Sequence, residues 1–241
     1  MSGVFVTGTD TDAGKTEICL GLMAALQQQG LSVLGMKPVA SGGSLCPDHL
    51  IDNRPGQPAL CCEDALRLQS QGSRQVRYET VNPYAFDPPI APHLAAAEVG
   101  VQIELEVLRT AYAELTGQAD FVVVEGVGGW RVPLAPRLAV SDLPMALDLP
   151  VLLVVGLRLG CINHALLTAE AIRARGACLI GWVANLVDPN MLAPDRNIAT
   201  LSAEIDAPML GSVPWLDRME PNIIGAHLRV DSLVQQKPRE A

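Results

Sequence analysis

The chain has 241 residues, 49% hydrophobic and 18% charged, which is enough apolar material for one sizeable domain over residues 1–241 and excludes a disordered chain. Its formal net charge of -9 excludes a nucleic-acid backbone as the main partner, because such binding needs clustered Lys and Arg. The longest apolar run, Pro150 to Leu157, is too short to span a bilayer, and Val4-Phe5-Val6 is reached without a secretory signal, so no membrane partner and a cytoplasmic location are expected.

In chain order, Val4 to Thr7 is predicted as a strand ending at Gly8, and Lys15 to Gln29 as a helix closed by Gly30 at the C′ position. Ser32 to Lys37 is a second strand. Ser41 to Cys62, rich in Gly, Pro, Asn and Asp, reads as a long surface loop, and the prolines of "VNPYAFDPPIAPH" (Val81 to His93) rule out a regular helix. Helices are then expected at Glu104 to Thr116, Ile162 to Arg175 and Asn190 to Glu204. They alternate with nearly continuous apolar runs at Asp120 to Gly126, Leu149 to Leu157, Leu179 to Asn185 and Pro208 to Pro214. Strands apolar on both faces belong to a sheet covered by helices, so the expected fold is α/β, a doubly wound, mostly parallel sheet of the P-loop type. The cysteines (Cys19, Cys46, Cys61, Cys62, Cys161, Cys178) lack metal-ligand spacing and read as free thiols.

Ligands of such sheets gather at the carboxyl ends of the strands. There, "GTDTDAGKT" (Gly8 to Thr16) joins strand to helix as a phosphate-binding loop does, with one residue more than the common G-x-x-x-x-G-K-[ST] form. Backbone N–H groups and the helix dipole favour phosphate, Lys15 reaches the outer phosphates, and the Thr16 hydroxyl suits Mg²⁺. Glu125 ends the run Phe121 to Val124, where an acid either holds Mg²⁺ or is a solvated strand terminus. Around Val127, Gly126 and Gly128 let the backbone pass close to a ligand. Asp64 has a sufficient structural role as an N-cap or first-turn helix acid. Lys37 interrupts an apolar strand just before Pro38, so its charge is expected to emerge at the sheet's carboxyl edge beside the phosphate loop.

With "GTDTDAGKT", "GMKPVASG", "VNPYAF", "VVVEGVGGW", "VVGLRLGCINHALLTA", "GWVAN" and "GSVPWL" in this order, the chain resembles the dethiobiotin synthetase family from about Val4 to Leu216. That family's loop carries the same extra residue. The resemblance implies a homodimeric enzyme that makes dethiobiotin, ADP and phosphate from 7,8-diaminononanoate, CO₂ and ATP, with Mg²⁺. It implies catalytic roles for Lys37, Lys15 and Thr11, phosphate contacts from Asp12, Ala13, Gly14, Lys15, Thr16 and Glu17, and a Mg²⁺ site at Thr16, Asp64 and Glu125. Gly126, Val127 and Gly128 would run beside the nucleotide, and Ser41 would join Lys37 on the carbamate side of the substrate. Asn185 matches an amide that reads adenine, Pro214, Trp215 and Leu216 match the base lining, and Glu220 a ribose contact. Gly160, Cys161, Ile162 and Asn163 open a helix whose N–H groups would anchor the substrate's tail carboxylate in the neighbouring subunit's site. The chain departs from the family in having Asp12 for a frequent Glu, Leu186 for the Asp usual after the Asn, and Arg158 for a familiar Lys.

A second reading is a dimeric P-loop ATPase switch of the partition or positioning type. Such proteins typically carry an extra lysine early in the loop, where this chain has Thr9 and Asp10. Membrane-bound ones tend to end in a basic amphipathic helix, which "SLVQQKPREA" is not.

Overall fold

Alternating apolar runs and helices build a layered molecule around its first strand. In the computed structural model, which describes residues 2–46 and 60–234, β1 (Gly3–Gly8) is buried throughout and leads by a short loop into α1 (Lys15–Gln28). Gly30 stands at φ 85° with its N–H on Gln27 O at 2.9 Å, the expected C′ glycine. Next come β2 (Val33–Met36), β3 (Val39–Ser41), β4 (Ser44–Leu45), β5 (Leu60–Cys61), α2 (Glu63–Gln71), α3 (Tyr78–Val81), β6 (Tyr84–Phe86), α4 (Pro92–Glu98) and α5 (Leu105–Thr116). The second half holds β7 (Phe121–Gly129), β8 (Pro133–Ala135), β9 (Leu138–Ala139), α6 (Leu143–Ala146), β10 (Val151–Leu157), α7 (Cys161–Ala174), β11 (Leu179–Leu186), α8 (Pro194–Glu204), β12 (Met209–Val213), α9 (Pro221–Gly225) and α10 (Asp231–Val234).

The main sheet has six parallel strands in the order β12-β11-β10-β1-β7-β2. The chain goes from β1 to the edge strand β2, returns to β7, then crosses β1 to β10, so strand order reverses at β1 and the ligand crevice belongs at its carboxyl end. Alternate residues serve opposite faces. Phe5, Val122, Val124, Leu153 and Val155 pack under α5 and α7, whereas Val4, Val6, Val123, Leu152 and Val154 pack under α1. Burial on both sides is what made these strands continuous apolar runs.

Several local expectations are corrected. The described ends of Ser41 to Cys62 are not loop throughout: β4 and β5 pair antiparallel, Ser44 opposite Cys61, which brings Cys46 and Cys61 into a disulfide with Cα atoms 4.8 Å apart. These two are therefore not free thiols, while Cys19, Cys62, Cys161 and Cys178 are. Residues 47–59 of that loop lie outside the described residues. The helix expected from Asn190 starts at Pro194, where proline's fixed φ and missing N–H suit a first helical turn. β7 runs past Gly126, because its glycines stay paired with β1 as far as Gly8 opposite Gly129. Of "SLVQQKPREA", only the residues up to Val234 are described, in α10. Among the described residues no helix is long and apolar enough to cross a membrane.

Candidate active site

Gly14 decides how the phosphate loop meets its helix. It caps α1 at φ 81°, and a Cβ there would lie 2.1 Å from Asn185 Nδ2, so only glycine fits. Thr9 fastens the loop to β10: its N–H donates to Val154 O at 3.0 Å and its hydroxyl accepts from Gly156 N–H at 3.3 Å. Lys15, only 4% exposed, donates to Asp10 O and Thr11 O at 2.9 and 3.0 Å, which fixes its ammonium at the mouth of the loop. Burial, then the charge of Lys37, lower its pKa to about 8, so it stays cationic at neutral pH.

Lys37 directly follows β2 and lines the same cleft as Lys15 and Thr16. It is 4% exposed and donates to Glu125 Oε1 at 2.5 Å and to Asp64 Oδ2 at 2.9 Å. Burial disfavours its charge, but the two carboxylates outweigh burial and hold it above the ordinary lysine value. Asp64, in the first turn of α2, is in turn held below the usual carboxylate range, its burial being overcome by Lys37. The Lys37 backbone is pinned as well: its N–H donates to Val81 O at 2.8 Å and its carbonyl accepts from Asn82 Nδ2 at 2.6 Å. Tyr78 donates its hydroxyl to Asn82 Oδ1 at 2.8 Å while accepting Cys62 N–H at 2.7 Å. Holding the Lys37-Pro38 corner is thus the physical work of "VNPYAF". Sequence reasoning missed Tyr78 and Asn82 as positioning residues, although an Asn before Pro83 in an otherwise apolar break was a signal.

Glu125 is 1% exposed within β7, not at a solvated strand end. Its Oε1 also accepts the Thr16 hydroxyl at 2.9 Å, and its buried Oε2 has no hydrogen-bond partner. Mg²⁺ takes hard oxygen donors, commonly one or two carboxylates completed by phosphate oxygens and water. The orphaned Glu125 Oε2, Asp64 and the Thr16 hydroxyl fit that donor set. Among the described residues no group of three or more His, Cys, Asp or Glu could hold a metal unaided.

One cleft of about 350 Å³ gathers Thr11, Asp12, Gly14, Lys15, Thr16, Glu17, Lys37, Ser41, Asp64, Glu125, Val127 and Gly128, together with Arg67. Ser41 reaches it because β3 pairs with β6, Ser41 opposite Phe86. Glu17 lines the cleft, and both its carboxylate oxygens accept from Arg67, at 2.5 and 2.8 Å. Other candidates lie behind or beyond the cleft. Ala13 is buried, and Gly126 packs against Phe5. Asn185 donates to Ala13 O at 3.0 Å and leaves its buried Oδ1 without a partner. Pro214, Trp215 and Leu216 follow β12, with Trp215 half exposed, and Glu220 is the N-cap of α9.

Gly160, Cys161, Ile162 and Asn163 form the start of α7, away from this subunit's cleft. Cys161 donates its N–H to Arg158 O at 3.0 Å, and its side chain is buried in the core. Ile162 and Asn163 keep the first-turn N–H groups that a helix cannot satisfy itself. Arg158 pairs with Asp10 of the phosphate loop, a contact the sequence did not announce.

Residues 2–222 match a family described as an AAA domain. The "ATP-dependent dethiobiotin synthetase BioD" of Pseudomonas aeruginosa (strain LESB58) is 52% identical over 229 residues, 95% of this chain and 96% of that protein. The protein of the same name from Aromatoleum aromaticum (strain DSM 19018 / LMG 30748 / EbN1) is 47% identical over 226 residues, 94% of this chain and 96% of its own. Among solved structures, the septum site-determining protein MinD complexed with Mg-ADP from Pyrococcus horikoshii OT3 aligns with a TM-score of 0.53 over 97% of this chain and 98% of its own, at 14% identity. That likeness is one of fold alone.

Proposed function

The chain belongs to the ATP-dependent dethiobiotin synthetase family, and on that premise we propose that it closes the ureido ring of dethiobiotin from 7,8-diaminononanoate, CO₂ and Mg-ATP. One amine adds to CO₂ and loses a proton, giving a carbamate. A carbamate oxygen attacks the γ-phosphorus and ADP leaves; the second amine then attacks the carbamate carbon and gives up a proton, phosphate departs and the ring closes.

The observation that carries this reading is Lys37, buried and fully charged between Glu125 and Asp64, facing the same cleft as Lys15. Transfer of a phosphoryl group to an anionic acceptor is mostly a matter of positioning and charge stabilisation. Two fixed ammonium groups meet that demand, with Lys15 toward the phosphates and Lys37 with Ser41 toward the carbamate. Thr11 sits at the reacting groups, and the N–H groups from Asp12 to Glu17 cradle phosphate at the start of α1. Thr16, Asp64 and Glu125 would hold Mg²⁺, which when bound neutralises phosphate charge. Asn185 offers its Oδ1 to the adenine amino group, Pro214, Trp215 and Leu216 line the base, and Glu220 reaches the ribose.

The substrate's tail carboxylate would lie on Gly160, Cys161, Ile162 and Asn163 of a neighbouring subunit, which makes the working form a homodimer, placed in the cytoplasm. A switch of the positioning type has less support, because the relatives of that kind share the fold at 14% identity whereas the named synthetases share 52% and 47%. The test is formation of labelled dethiobiotin from labelled bicarbonate, the diamine and Mg-ATP. ATP hydrolysis indifferent to the diamine, without product, would sink the proposal.

A further inference from the structure

The polar contacts of the cleft form a closed circuit. From Thr16 on α1 they run to Glu125 on β7 at 2.9 Å, to Lys37 at 2.5 Å, and to Asp64 on α2 at 2.9 Å. One helical turn beyond Asp64 stands Arg67, and its guanidinium returns the circuit to α1 through both oxygens of Glu17, the neighbour of Thr16. Nothing in the phosphate chemistry requires an acid at position 17, and an unpaired carboxylate lining a phosphate cleft would repel the nucleotide.

We propose that Glu17 and Arg67 are a positioning pair, closing this circuit so that Asp64 keeps its place beside Lys37 and Thr16 when Mg-ATP binds. The proposal rests on the synthetase reading of the cleft. α2 needs such a tie because Ala65 and Leu68 are its only buried residues and its N-cap, Cys62, makes no side-chain cap. A second link between the two helices, Gln27 with Gln71, lies at the far end of α2, away from Asp64. The pair is bidentate and half-buried, with side chains 35% and 19% exposed, so its value lies in geometry: two parallel N–H···O bonds fix direction as well as distance. Partners that orient metal-site residues in this manner tune affinity without touching the ion.

The test is a double-mutant cycle of Arg67→Ala, Glu17→Gln and the two combined. Binding of a fluorescent ATP analogue is titrated against Mg²⁺, and urea midpoints are measured alongside. Each single change is expected to raise the half-saturating Mg²⁺ concentration by about tenfold, with the double variant no worse than either single one. Arg67→Lys, which keeps the charge and loses the fork, is expected to fall between, and it carries the test if Arg67→Ala does not fold. Wild-type Mg²⁺ dependence in all variants, or a Glu17→Gln protein that binds as wild type while Arg67→Ala does not, overturns the pair; the second outcome would make Arg67 a direct phosphate ligand. Product formation by the wild type is assayed separately, so a chain that makes no dethiobiotin defeats the synthetase reading while the binding cycle still judges the pair.

Discussion

Lys37 Nζ lies 2.5 Å from Glu125 Oε1 with the two side chains 5% and 1% exposed, and the contact joins residues that are 88 apart in sequence. Each charge is tolerable in the interior only because of the other, since removing one partner leaves an uncompensated ion. The same pairing holds a cation where a carbamate would lie. Stability and chemistry therefore share one contact at this position, and variants must separate them.

Lys37→Met is expected to lower product formation by about a hundredfold or more and to destabilise the fold by about 3 kcal/mol, because Glu125 is left buried and unpaired. Adding Glu125→Gln removes the orphaned charge. The double variant should regain most of its urea resistance and none of its activity. Turnover near wild type in Lys37→Met would take Lys37 out of the mechanism.

Gly14→Ala probes the loop itself. Forcing an alanine into the left-handed region costs about 1–2 kcal/mol, and here its Cβ would also strike Asn185 Nδ2. We expect nucleotide binding to fail while the sheet persists by circular dichroism. Asn185→Ala in the same chain should relieve the clash and leave the φ penalty, so part of the lost urea resistance returns, while the adenine contact proposed for Asn185 is forfeited. Unimpaired ATP binding by Gly14→Ala would show that the loop does not need this conformation.

Much of this architecture is legible because its signals are local. A strand, a glycine turn and Lys15-Thr16 at a helix start lie within one short stretch, and a sheet covered on both faces writes itself as apolar runs. The position of Lys37 at a strand end beside the phosphate loop is legible, whereas its pairing is not, because Asp64 and Glu125 lie 27 and 88 residues away and only the topology brings them in. The same reason hid the pairing of Glu17 with Arg67 across 50 residues and of Arg158 with Asp10 across 148. Cys46 and Cys61 carry no recognisable spacing, and their bond follows from the β4–β5 register.

Alkaline pH should weaken the fold through two buried acids. Burial, with Glu125 next, pushes the Cys19 thiol well above its ordinary 9.0, and burial pushes the Tyr78 phenol above 10.0. Folding favours the neutral form of both, so their contribution is complete below the unfolded values and is lost as pH rises through them toward the folded ones. Lys15, lowered to about 8, acts in the opposite sense and adds stability as pH rises from about 8 toward its ordinary 10.5, so the acids are read in a Lys15→Ala background, where the urea midpoint should stay flat between about pH 7 and 8.5 and fall above about pH 9. In Cys19→Ala the early part of that fall should flatten; an unchanged profile would assign it to other groups.

The start of α7 offers a test that does not depend on any single cleft. Ile162 and Asn163 hold N–H groups suited to a carboxylate, yet they lie away from the cleft of their own subunit, whose cation at the phosphate loop is Lys15. If two chains share sites, a Lys15→Ala subunit retains an intact α7 start to lend, and an Asn163→Pro subunit retains an intact phosphate loop; proline at that position removes the Asn163 N–H with little harm to a first helical turn. Each homodimer should be nearly inactive, the first through phosphate transfer and the second through a raised KM for the diamine. Mixed dimers, isolated through two different affinity tags, should regain roughly a quarter to a half of wild-type turnover, because one of the two composite sites is then whole. Separate subunits with self-contained sites would show no recovery, and that result in verified mixed dimers would remove the shared anchor from the proposed function.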